Sequence, residues 1–154
     1  MKSLDEMLQY ENTIVVQRFL NMFDVTETIA KDIFKETLRY LYLSRVTEQK
    51  RSEGQSMPSL GITHQIMIID EMWHAFILNT RDYMKFCEKY LDQFIHHPPQ
   101  YQSKDGKPYD IHNIEAFEQK VSYIYDTLGE ETVEKWFSTY GDRYGPEQLS
   151  ALRI

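Results

Sequence analysis

Asp70 and His74 stand four positions apart, Trp73 sits beside His74, and the pair His96-His97 follows within the same 28 residues. A carboxylate one helical turn from an imidazole can hold that ring in one tautomer, as a general base or an imidazole ligand requires. Neutral imidazoles joined by one carboxylate suit zinc, iron and other borderline divalent ions. The candidate polar site is therefore Asp70, Trp73, His74, His96 and His97, and the candidate metal ligands within it are Asp70, His74, His96 and His97. The same spacing also describes a solvated pair on a polar helix face. Cys87 is the single cysteine; it rules out a cysteine-rich zinc module and reads as a small buried hydrophobe. His64 and His112 fall near expected helix starts and read as structural.

Whether the candidate ligands meet depends on the element between them. Periodicity predicts one helix from about His64 to Leu91, with Thr63 as its N-cap. Ile66, Ile69, Met72, Trp73, Phe76, Thr80, Tyr83, Cys87 and Tyr90 share its inner arc; Asp70, His74, Arg81, Lys85 and Glu88 lie opposite. Unbroken, this helix carries the chain ~25 Å beyond His74, while the residues from Leu91 to His96 recover at most ~17 Å. An intrachain site then requires the helix to stop near Phe86 to Glu88 and the chain to double back, or a second subunit to supply the missing ligands.

Elsewhere the pattern is also helical. Ser3 and Glu6 form a capping box before a helix from about Leu4 to Phe23, with an interruption near Glu11-Asn12-Thr13. Asp24 or Thr26 caps a second helix with Ile29, Ile33, Leu38 and Leu41 inward, ending near Glu48. Asp110 caps a fourth, stopped by Gly129, and a fifth presents Val133, Trp136, Phe137 and Tyr140 before Gly141 ends it. Glycine, proline and serine mark long irregular loops around 49–62 and 92–110. The expected fold is all-α, a single compact bundle of about five helices forming one domain over residues 1–154.

The net charge is −7, with 24 acidic and 17 basic residues and no dense basic run, which argues against nucleic-acid binding. No apolar run approaches the ~20 residues of a membrane span, and no secretory leader is visible, so the expected compartment is the cytoplasm. Acidity is compatible with a basic protein partner.

The spacing Asp70-x-x-Trp73-His74, then Tyr83, Cys87 and Phe94-Ile95-His96-His97, resembles the core of the glycine-rich domain-containing proteins of plants and their bacterial relatives. The likeness covers about residues 57–97. Phe76 and Thr80 stand where that pattern has a histidine and a proline, and the chain has no glycine-rich tail. The resemblance implies no particular activity, but it makes Asp70, Trp73, His74, His96 and His97 part of a signature. Two functions follow. The favoured one is a noncatalytic protein-binding module whose aromatic loops, Phe94 to Tyr109 and Trp136 to Tyr144, grip a partner. The alternative is a divalent-metal (zinc or iron) or acid/base site on Asp70, His74 and His96 or His97.

Overall fold

Side-chain caps set the helix starts. Ser3, Asn12 and Thr26 accept from the backbone N–H groups of Glu6, Val15 and Ile29, opening α1 (Leu4–Met7), α2 (Thr13–Leu20) and α3 (Glu27–Ser52). Each satisfies an N–H group that a helix start leaves without an internal partner. The interruption expected near Glu11-Asn12-Thr13 separates α1 from α2, where Asn12 turns its side chain onto the backbone. α3 runs past the expected stop at Glu48 to Ser52, and its last turn carries Lys50 and Arg51, charges that suit a helix C-terminus.

The computed structural model describes residues 1–98 and 114–154, which form an all-α fold. α3 is its spine, burying Ala30, Ile33, Phe34, Leu38 and Leu41 against α2 and α4 (Met67–Leu78). α4 follows a 3-10 turn at His64–Ile66 and contributes Ile68, Ile69, Met72, Trp73, Ala75 and Phe76 to the same core.

The helix expected to be continuous from His64 to Leu91 breaks at Asn79, whose backbone (φ −86°, ψ 67°) is not helical. Asparagine is a weaker helix former than the apolar residues around it, and periodicity of apolar residues is blind to a single non-helical position. The chain resumes as α5 (Thr80–Phe86), widens into a π turn over Cys87–Leu91, and reverses at Asp92, which takes the left-handed conformation (φ 54°).

In the C-terminal part, α6 (Ile114–Leu128) ends at Gly129, where φ is 98°. α7 (Glu130–Glu134) continues through a π turn at Lys135–Thr139 into α8 (Tyr140–Arg143), and α9 (Pro146–Leu152) follows. Gly141, expected to end a helix, lies inside α8; a Cβ there would stand 3.3 Å from Gln65 Cγ, so the glycine permits close approach rather than termination. α9 has no counterpart in the sequence expectation; it starts with Pro146 in its first turn. The described residues therefore hold more helices than expected, because the expected third helix breaks at Asn79, a π turn divides the fifth, and α9 is additional. The proposed cap Asp110, His112 and the loop from residue 99 lie outside the described residues. Among the described residues, no helix is long and apolar enough to cross a membrane.

Two buried charges tie the halves together. Glu36, 4% exposed, accepts from Trp136 Nε1 at 2.7 Å and from Lys135 Nζ at 3.2 Å, while Asp32 takes Lys135 at 2.6 Å and the Tyr140 hydroxyl at 2.8 Å. Lys120 donates to the Gly61 carbonyl, and burial lowers its pKa to about 8. Because the folded value lies below the ordinary lysine value, folding favours the neutral amine. Its contribution to stability is gained as pH rises from about 8 toward ~10 and lost as pH falls through about 8. Lys120→Met is expected to raise stability at pH 7 by about 1–3 kcal/mol and to remove this stretch of pH dependence relative to wild type. Urea melts of both proteins across that range check it; a methionine variant less stable than wild type at pH 7 would contradict it.

Candidate metal centre

The kink at Asn79 brings the candidate ligands into reach. From Thr80 to Leu91 the helical limb advances ~18 Å, and the extended return from Asp92 to His97 covers up to ~20 Å. The two limbs nearly cancel, so His97 arrives back at α4. The sequence-based distance failed because it placed the whole helix on one axis.

Named hydrogen bonds fix the return strand. Arg45 Nε donates to the Leu91 carbonyl at 2.8 Å, and Gln93 Nε2 to Glu48 at 2.8 Å, holding the reversal against α3. Deeper, Trp73 Nε1 donates to the Tyr83 hydroxyl at 3.1 Å, and that hydroxyl donates to the Ile95 carbonyl. Burial pushes the Tyr83 phenol far above its usual range, so it remains a donor. Burial alternates along the returning segment, so that Ile95 and His97 face inward and His96 faces out. Ile95 is 1% exposed, whereas His96 is exposed and meets Phe94 edge-on at 4.8 Å. His96 is accordingly not a member of the centre, contrary to its place among the candidate ligands. Tyr83→Phe should strip the partner from both the Ile95 carbonyl and the Trp73 N–H, lowering stability by about 1–3 kcal/mol in urea melts; an unchanged midpoint would contradict this.

Asp70, His74 and His97 converge, with one donor atom from each lying within 4.8 Å of the others. Asp70 Oδ1 is 2.6 Å from His97 Nε2, and Oδ2 is 3.3 Å from His74 Nδ1. The two imidazoles stack with centroids 4.5 Å apart, and Trp73 covers the His97 ring at 4.2 Å. Trp73 is 3% exposed and wedges the site without ligating it. The side chains of Asp70 and His97 are each 14% exposed, whereas that of His74 is 49% exposed and forms the rim.

Both nitrogens of His97 face acceptors, since Nδ1 lies 3.1 Å from the Pro98 carbonyl and Nε2 faces Asp70. A neutral imidazole has only one N–H and cannot satisfy both. Nε2 must therefore carry a proton or bind a cation. Without a cation, the hydrogen bond that Asp70 accepts from His97, opposed by burial and helped by the Asp70 charge and by the Pro98 carbonyl, holds His97 above the ordinary histidine pKa. With a cation, the Pro98 carbonyl takes the orienting role that a partner of the second ring nitrogen has in metal sites. Two ligands ~2.1 Å from a tetrahedral ion stand ~3.4 Å apart, so Asp70 and His97 would separate by less than ~1 Å on loading.

A protein-family model described as UCP032817-like matches residues 7–111, well over half of the chain. The chain belongs to the UCP032817-like family. This corrects the resemblance to the glycine-rich domain-containing proteins, which rested on a short spacing pattern within residues 57–97. The UCP032817-like match takes in all three converging donors together with Arg45, Trp73 and Tyr83. No curated protein and no solved structure matches the chain.

Sequence reading missed Arg45 and Tyr83 as positioning groups. Tyr83 reads there as an inner-arc aromatic and a member of the resembling pattern, not as a hydrogen-bonding group, and nothing in the spacing marks Arg45. Cys87 is fully buried, and burial raises its thiol pKa, in keeping with a core role. Trp136, Tyr140 and Tyr144, expected as a gripping surface, are 0%, 3% and 6% exposed and belong to the core.

Proposed function

We propose that this UCP032817-like protein binds a divalent transition metal, zinc or iron, through Asp70, His74 and His97. The observation that carries the reading is the convergence of three donors from two separate segments, a helix face and the return strand. A solvated helix-face pair would involve Asp70 and His74 alone; it gives no reason for His97 to come back beside them. Two imidazoles and one carboxylate match the ligand preferences of zinc and of non-haem iron. Metal and proton compete for His97 Nε2, so loading releases a proton. The protein-binding reading draws no support from the tail, where Trp136, Tyr140 and Tyr144 are buried, and most of its other segment, residues 99–109, lies outside the described residues.

Elemental analysis of untagged protein, purified without chelator and then exposed to zinc or iron(II) and dialysed, tests the reading. About one metal per chain, lost in His74→Ala, is the expected result. Wild type that retains no metal, or a His74→Ala variant that retains as much, would overturn it.

A further inference from the structure

Three protein donors do not complete the coordination of zinc, and still less that of iron. Among the described residues, no fourth histidine, cysteine, aspartate or glutamate joins Asp70, His74 and His97. The side from which a further ligand must come is also defined. Trp73 covers His97, and Asp70 is largely enclosed, so the centre meets solvent at His74. On the turn beyond His74, Leu78 is 60% exposed and offers no donor atom. One carboxylate and two neutral imidazoles leave a divalent ion with a residual charge of about +1, which favours an anion over a neutral donor.

We infer that the centre, once loaded, is an exchangeable site that takes a small monoanion, such as hydroxide, azide or a carboxylate, on its solvent face beside His74. This rests on the metal-binding reading above. It separates an open centre that presents the ion to exogenous ligands from a closed one that only staples the return strand to α4.

Cobalt(II) and azide are the probes. Cobalt(II) takes similar donors, and its visible absorption reports changes in its ligands. The full-length protein is loaded with cobalt, dialysed, and titrated with azide. The expected result is about one cobalt per chain and a saturable change in the visible spectrum, absent from His97→Ala. Bound cobalt with a spectrum indifferent to azide would overturn the inference and leave the metal reading standing. No bound cobalt would remove both.

Discussion

His97→Ala is expected to weaken zinc binding by more than about 100-fold, since loss of a group that merely supports a ligand already costs 10–100-fold in metal sites. The effect should also appear as lost thermal protection. Zinc at about 100 times its dissociation constant stabilises a folded protein by about 2.7 kcal/mol, which in a chain of this size raises the melting temperature by roughly 5–10 °C. At the same zinc concentration the His97→Ala protein should show almost none of that rise. The informative companion is His96→Ala. His96 lies on the outer side of the strand against Phe94, so its removal should leave both affinity and protection near wild type. Calorimetric titration and thermal melts of the two variants read the contrast. Equal losses in both would mean that the strand alternation places the wrong histidine at the centre.

The metal-free His97→Ala protein should lose about 1–2 kcal/mol, because Asp70 gives up its 2.6 Å partner while remaining largely enclosed. That cost is separable from the metal effect, as it is present without zinc.

Trp136→Ala should be the most destabilising of these changes, at about 4–5 kcal/mol. The indole is completely buried, and its N–H is bound at 2.7 Å to Glu36, itself 4% exposed. Truncation leaves a large cavity and strips one donor from a buried carboxylate. Trp136→Phe retains most of the volume and loses only the donor, so about 1.5–3 kcal/mol is expected, since hydrogen bonds to charged groups are the stronger kind. Lys135 and Arg39 still hold Glu36 in that variant, which keeps it measurable even where the alanine variant fails to fold. Urea midpoints within ~1 kcal/mol of wild type for the phenylalanine variant would show that the bond contributes little.

The sequence makes the all-α class and much of the core legible. Val15 and Phe19 in α2, Ile33, Leu38 and Leu41 in α3, and Ile69, Met72 and Phe76 in α4 recur at helical spacing and are buried. Those stripes are local in sequence, so periodicity finds them. The features that build the site are not local. The break at Asn79 is a single residue with non-helical backbone angles, and the reversal at Asp92 a single left-handed residue. Neither alters the apolar pattern. Residue type singles out His96 and His97 alike, and their separation depends on an alternation along a return path that the unbroken helix did not allow. Glu36 and Trp136 are 100 residues apart, and only the folded packing of α3 against the C-terminal helices shows that they meet.

The most direct test of the metal-binding reading is X-ray absorption at the zinc edge of the dialysed, zinc-loaded protein. The account predicts a shell of nitrogen and oxygen at ~2.0–2.1 Å, with the outer-shell scattering of two imidazole rings that falls to one ring in a His74→Ala sample reloaded at high zinc. A shell of oxygen alone, or one containing sulfur from Cys87, would contradict it.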